Sequence, residues 1–343
     1  MDPNSGRSDG RVSRRTLLTG AGAAAGAATL GTVATAGGGA GGGGEGESGG
    51  EEEPTDTEGD GDGGFVENDP PIVIGHRGFV GVCPENTVAA AVGAGLAGAD
   101  AIEIDVVPTA DGTVVVFHDD RLSSRESGGL TDTEGLVWET DTETVLDAEV
   151  LDSDETVPTL EELLEAIPAG LGVNIELKNP GSSEVIVSED FEGETLATQK
   201  DLWRPFVGRV LDIAAEFENE VLVSSFSKAA IAVTREHDSS IPVAYLLWDS
   251  IERGLEIARE YDTEAIHPPY DMVQGSPFFS DGVYLEEPGY GDIDLVDVAH
   301  EEGREVNVYT LGTWYQAEQL AATGVDGLIN DYPGLLNASD PEN

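Results

Sequence analysis

The stretch that most constrains the fold is residues 71–120, where three short apolar runs carry ionisable residues or end in them. The runs are 72–74, 101–106 and 114–117. Runs of this length, bounded by turn residues, are typical of buried strands. Because the carboxyl ends of parallel strands converge in α/β folds, the pattern predicts a polar site at one end of the strands.

Two carboxylates share a face of the second run. Glu103 and Asp105 project to the same side because side chains alternate along a strand. Burying a carboxylate pair is costly unless a cation lies close, and either a basic side chain or a metal ion can supply it. Glu176 and Lys178 share a face of another run, at 174–178. Three carboxylates plus water are an oxygen-only ligand set suited to one divalent cation, Mg²⁺ or Ca²⁺.

Eight segments resemble the glycerophosphodiester phosphodiesterase family, and they occur in the family's order. They are GHRG at 75–78, PENT at 84–87, IEIDV at 102–106, VFHDD at 116–120, VPTLEE at 157–162, IELK at 175–178, SSF at 224–226 and GVDGLINDYP at 324–333. One such segment alone would be weak support for the family. Eight segments in the family's order are strong support, and together they span nearly all the chain beyond its first 70 residues.

The resemblance implies a role for most of the polar residues in these segments. His76 and His118 are expected to act as the general acid and base, in an order that the sequence leaves open. The expected metal ligands are Glu103, Asp105 and Glu176, and the expected phosphate contacts are Arg77 and Lys178. Glu85 and Asn86 are expected to orient the site, and Tyr309 to offer an aromatic surface to the glycerol, where relatives commonly have tryptophan.

Strand and helix patterns alternate from residue 72 to residue 329 and predict a (β/α)₈ TIM barrel rather than a doubly wound open sheet. No dinucleotide-binding glycine fingerprint supports the open sheet. Residues 111–154 break the alternation and are interpreted as a small insertion after the second barrel strand. Residues 179–199 are acidic and serine-rich and predict a surface loop, followed by a helix at 206–217. The polar loop at 123–127 departs from the family pattern, so the resemblance does not predict whether this loop contacts the substrate.

Three histidines lie outside the matching segments. His237 and His300 stand near predicted helix ends and are expected at the surface, whereas His267 ends a predicted strand and is a candidate for the cavity wall.

The first 67 residues are expected to precede the folded part. Paired arginines, Arg14 and Arg15, precede a weakly apolar stretch rich in Ala and Gly, which is typical of a twin-arginine export signal over 1–36. Residues 37–67 are Gly and acidic residues, typical of a disordered linker. The catalytic domain is expected over 68–338, with a tail at 339–343. The protein is thus expected to use the twin-arginine export machinery, to be extracellular or at the cell surface, and to keep no stable membrane span after export.

The net charge of −52 excludes polyanionic partners. The chain has 68 acidic against 16 basic residues, so nucleic acid and anionic membrane surfaces would repel it. Charge spread along the whole chain indicates adaptation to high salt, where repulsion is screened.

The function expected from the sequence is metal-dependent hydrolysis of a glycerophosphodiester to glycerol phosphate and an alcohol. One alternative is a phospholipase-like barrel that forms a cyclic phosphate by internal attack. The other is a binder of phosphorylated polyols that has lost turnover.

Overall fold

A computed structural model describes residues 70–123, 130–187, 191–280 and 293–337. The predicted export signal, the linker, the tail and residues 124–127 of the polar loop lie outside the described residues. Within the described ranges, no helix is both long and apolar enough to span a bilayer.

Eight parallel strands close into a barrel, and a ninth short strand joins them from outside. In chain order the strands are β1 (Ile72–His76), β2 (Ala101–Pro108), β3 (Val114–Val116), β4 (Gly172–Leu177), β5 (Val221–Ser225), β6 (Val243–Leu246), β7 (Ala265–His267), β8 (Glu305–Leu311) and β9 (Gly327–Asn330). β1 pairs with both β2 and β9, which closes the barrel, whereas β3 runs antiparallel to β2. The predicted TIM barrel is confirmed.

Helices separate the barrel strands and cover their outer faces. The helices are α1 (Val88–Leu96), α2 (Thr142–Leu146), α3 (Leu160–Ala166), α4 (Gly193–Ala214), α5 (Lys228–His237), α6 (Ile251–Glu260), α7 (Leu295–Glu301) and α8 (Trp314–Ala321). Thr87 caps α1 by accepting a hydrogen bond from the Ala90 backbone amide. In α3, Thr159 and Glu162 form a capping box, which fixes where the segment VPTLEE turns into helix.

Side-chain alternation in β2 sorts apolar from ionisable residues. Ile102, Ile104 and Val106 belong to the large apolar cluster between strands and helices, whereas Glu103 and Asp105 take the other face, inside the barrel. The floor of the barrel interior is a smaller apolar cluster of Ile72, Ile74, Ala101, Leu222, Ala244, Ala265 and Ile329. The carboxylates therefore lie between this apolar cluster and the carboxyl ends of the strands.

The segment between β2 and α3 has an apolar cluster of its own. It contains β3, a 3₁₀ turn at Val137–Glu139 and α2, and its buried residues include Val115, Phe117 and Leu122. This agrees with a small insertion after the second barrel strand. The apolar cluster also anchors β3, and His118 follows the end of β3 at the barrel mouth.

The helix before β5 is longer than predicted. α4 begins at residue 193, inside the segment predicted as a surface loop, and ends at 214 instead of 217. Gln199 and Trp203 lie on its buried face, so burial of that face extends the helix through a segment whose composition favours a loop. The interpretation of 193–199 as loop was therefore wrong.

Candidate active site

Three carboxylates meet inside the barrel mouth because of strand register. β2 and β4 are aligned so that Asp105 lies opposite Glu176, and β1 places His76 opposite Glu103. One oxygen from each of Glu103, Asp105 and Glu176 lies within 4.8 Å of the others. All three residues are buried. The sequence prediction that these carboxylates share one site is thus matched by their geometry.

The cluster has the properties of a cation site. Glu103 Oε1 and Asp105 Oδ1 are buried and have no hydrogen-bond partner among the described residues, and buried oxygens of this kind usually contact a water molecule or an ion. Burial, together with the charges of Asp105 and Glu176, raises the pKa of Glu103 well above its usual value. A hard divalent cation would supply the ligand contacts that these oxygens lack. The cluster can therefore hold a metal ion.

Two basic side chains flank the carboxylates. The Arg77 guanidinium donates to Glu85 at 2.8 Å and lies 3.2 Å from Asp105. The Lys178 ammonium donates to Glu176 at 2.7 Å and lies 3.6 Å from Asp105. Burial opposes charge on Asp105, but the charges of His118, Arg77 and Lys178 outweigh it and lower the pKa of Asp105. Both cations therefore help to keep Asp105 ionised, and their contact with phosphate stays a prediction.

Glu85 contacts Arg77, and Asn86 contacts Asp105. Besides its contact with Arg77, Glu85 is almost fully buried. Asn86 donates its side-chain amide to Asp105 at 2.8 Å and accepts from the Asp105 backbone amide at 3.3 Å. These contacts orient Arg77 and Asp105, as expected of residues that position a site.

The two histidines line one cavity, and each is held by a carboxylate. His76 Nδ1 lies 2.7 Å from Asp331 Oδ1, and His118 Nδ1 lies 2.6 Å from Asp119 Oδ1. With Nδ1 bonded in both rings, Nε2 is the nitrogen left to exchange a proton with a ligand. Asp119 and Asp331 stand inside the recognised segments, but the sequence alone gave no reason to single them out.

The reaction cavity, as we call the space shared by the two histidines, has a volume of about 420 Å³. Its polar side includes Glu103, Glu176 and Lys178. Its apolar side is an aromatic cluster in which Phe226 packs edge-on against Trp248 at 5.6 Å and against Tyr309 at 5.9 Å between ring centroids.

Tyr309 lies where the aromatic surface was predicted, but its hydroxyl donates to the Leu247 carbonyl at 2.5 Å. The ring rather than the hydroxyl thus faces the cavity. Phe226 and Trp248 were not predicted as cavity residues. For Trp248 the available signal was its place two residues beyond the end of β6, on the barrel face that carries the site.

The remaining histidines take other positions. His267 is fully buried, contacts Asn307 at 3.1 Å and is not among the described residues that line the reaction cavity. Burial lowers the pKa of His267 to about 3, so it stays neutral. His300 is half-buried and contacts Asp326 at 2.7 Å, so the expectation of a surface group was wrong. His237 is exposed, as expected.

Known proteins are similar to this chain over most of its length. The model of the glycerophosphoryl diester phosphodiesterase family matches residues 76–335. A glycerophosphodiester phosphodiesterase of Bacillus altitudinis is 29% identical over 274 residues, covering 76% of this chain and 94% of that protein. A protein of the same name from Caldanaerobacter subterraneus is 27% identical over 272 residues, covering 77% and 96%.

Solved structures of phosphodiesterases have the same fold over most of this chain. A phosphodiesterase of Oleispira antarctica, in complex with the product sn-glycerol-3-phosphate, matches with a TM-score of 0.61 and 25% identity, covering 78% of this chain and 98% of its own. A glycerophosphodiester phosphodiesterase of Thermotoga maritima shares the fold with a TM-score of 0.57, covering 78% and 97%. Fold and site thus define a TIM-barrel phosphodiesterase. The chain belongs to the glycerophosphoryl diester phosphodiesterase family.

Proposed function

We propose that the protein hydrolyses glycerophosphodiesters to glycerol phosphate and an alcohol, with one divalent cation, Ca²⁺ or Mg²⁺, held by Glu103, Asp105 and Glu176. The observation that carries the proposal is that this carboxylate cluster and two carboxylate-held histidines face a single cavity. The bound cation would supply positive charge to the non-bridging phosphate oxygens.

The histidines supply the two proton transfers that hydrolysis requires. One imidazole takes a proton from the attacking water, and the other gives a proton to the departing alkoxide as its bond to phosphorus breaks. Asp331 and Asp119 hold the rings by Nδ1, so both transfers use Nε2. Arg77 and Lys178 add positive charge at the wall of the cavity, which favours an anionic phosphodiester over a neutral ester.

The test is turnover of glycerophosphocholine and glycerophosphoethanolamine in molar salt with Ca²⁺ or Mg²⁺, followed by ³¹P NMR. A phosphate monoester as the first product supports hydrolysis, whereas accumulation of a cyclic phosphate would show internal attack instead. His76→Ala and His118→Ala are expected to lower kcat by roughly 10²–10⁴-fold. The matched control is His237→Ala, at an exposed histidine. Full activity in either cavity variant would remove the acid–base roles.

We propose further that the chain is exported through the twin-arginine route. The support is the Arg14-Arg15 pair before a weakly apolar stretch. Residues 1–36 fused to a folded reporter should direct its export, and replacement of both arginines by lysine should abolish it. Retention of export in the lysine variant would contradict the route.

The charge of −52 supports a protein adapted to high salt. Self-repulsion is strong at low ionic strength and is screened within about 3 Å at 1 M salt. The midpoint of thermal unfolding should therefore rise steeply between 0.1 M and 2 M KCl. An unfolding temperature that does not depend on salt would contradict this proposal.

A further inference from the structure

A second cavity adjoins the reaction cavity at His118. This side cavity has a volume of about 620 Å³ and is lined by Asp119, Asp120, Arg121, Leu136 and Trp138 in addition to His118. His118 also lines the reaction cavity. The mechanism uses His118 and its partner Asp119 but leaves the rest of the side cavity without a role.

The walls of the side cavity are held in place by the loop after β4. Asn179 is buried, donates to Asp120 Oδ1 at 3.3 Å and accepts from the Gly181 backbone amide at 2.9 Å. Gly181 has a φ of +92°, and a Cβ there would lie 3.2 Å from the Trp138 Cβ. The absence of a side chain at this position lets Trp138 pack close to the loop, so Asp120 and Trp138 both lie against the loop that follows β4.

The chemistry of the side cavity favours a cation with apolar surface. Asp120 brings a carboxylate in addition to Asp119, which holds His118, while Arg121 is exposed and is the one Lys or Arg among the described lining residues of the side cavity. Trp138 brings a ring that attracts ammonium groups, and Leu136 adds apolar contact. A quaternary or primary ammonium group on a short alcohol combines both properties.

We propose that the side cavity binds the alcohol half of the substrate and selects a positively charged amino alcohol such as choline or ethanolamine. This inference rests on the proposed function. The two organic groups of a phosphodiester leave phosphorus in different directions, and His118 borders both the reaction cavity and the side cavity. With the phosphate at the carboxylate cluster, the glycerol half lies along the aromatic cluster of Phe226, Trp248 and Tyr309.

The position of the alcohol in the side cavity also assigns one proton transfer to each histidine. The oxygen of water forms a bond to phosphorus, and its proton passes to His76. The bond from phosphorus to the alcohol oxygen breaks, and its electron pair stays on that oxygen. His118 gives its proton to the same oxygen because it borders the side cavity in which the alcohol is held.

The experiment compares kcat/KM for glycerophosphocholine with kcat/KM for glycerophosphoglycerol, whose leaving alcohol is neutral. Trp138→Ala and Asp120→Asn should each lower the choline-to-glycerol ratio of kcat/KM by about tenfold, as expected for the loss of one cation contact. Trp138→Phe keeps an aromatic face and should retain most of the ratio. Trp314→Ala, at an exposed tryptophan that lines neither cavity, is the matched control and should not change it.

Added choline gives an independent measurement. It should inhibit the wild type as a product, and Trp138→Ala should raise its inhibition constant about tenfold. An unchanged ratio in Trp138→Ala and Asp120→Asn, or equal losses on both substrates, would overturn the side cavity as an amino-alcohol site. Failure of the wild type to turn over either diester would instead overturn the proposed function.

Discussion

Asp105 and Glu176 lie directly opposite each other on neighbouring parallel strands, in a register that also pairs Glu103 with Asn174. Because backbone hydrogen bonds set this register, the carboxylates stay together whether or not an ion is bound. A shift of one residue would turn them to the outer face.

Asp105→Asn is expected to weaken binding of Ca²⁺ or Mg²⁺ at least tenfold, because carboxylate charge sets affinity for hard cations. Isothermal titration of the metal-stripped protein in high salt measures this directly. Asp212→Asn, at an exposed carboxylate, is the control and should bind as the wild type does. Equal affinity in both variants would place the ion elsewhere.

Asp331→Asn is expected to lower kcat roughly 10²–10⁴-fold while changing KM little, because an aspartate that holds a catalytic imidazole fixes its tautomer and orientation. Asp331→Glu keeps the carboxylate and should recover part of the loss. The unfolding temperature should change little, since Asp331 is partly exposed. A change in KM alone would show that Asp331 contacts substrate rather than positioning His76.

Gly78→Ala is expected to destabilise the fold by about 2–4 kcal/mol. Gly78 has a φ of +77°, and a Cβ there would lie 2.6 Å from the Ala90 Cβ on α1. Gly98→Ala is the matched control, because Gly98 has a φ of +81° with nothing within 4 Å, and it should cost about 1 kcal/mol. If the two variants lose the same free energy of unfolding in urea, the contact of position 78 with α1 contributes nothing.

Glu305→Gln is expected to stabilise the protein at alkaline pH. Burial, together with the charge of Asp326, raises the pKa of Glu305 to about 8. The folded state therefore keeps a proton that the unfolded state loses near pH 4.5, and stability falls as pH rises from 4.5 to 8.

At pH 9 the glutamine variant should exceed the wild type by on the order of 2 kcal/mol in free energy of unfolding, and at pH 4 the two should agree. Denaturant unfolding at both values measures the difference. The same gain at both pH values would mean that the charge of Glu305 is not responsible.

The barrel and the carboxylate cluster were predictable because their signals are local. Strand alternation alone places Glu103 and Asp105 on one face, and the family segments carry His76 and His118. The partners Asp119 and Asp331 were not predictable, because nothing in the sequence shows which oxygen meets which ring.

The extent of α4 and the aromatic cluster depend on tertiary packing. Burial of residues such as Trp203 stabilises α4 through a segment of loop-like composition. Phe226, Trp248 and Tyr309 come into contact only because the barrel brings together the ends of three strands. Sequence spacing contains neither relationship, so only the closed barrel reveals them.

The most direct test of the metal-dependent mechanism is turnover of glycerophosphocholine in molar salt before chelation, after chelation and after metal is restored. We expect turnover to be lost with chelator, to return with Ca²⁺ or Mg²⁺, and not to return in Asp105→Asn at the same metal concentration. Undiminished turnover in the presence of chelator would contradict the account.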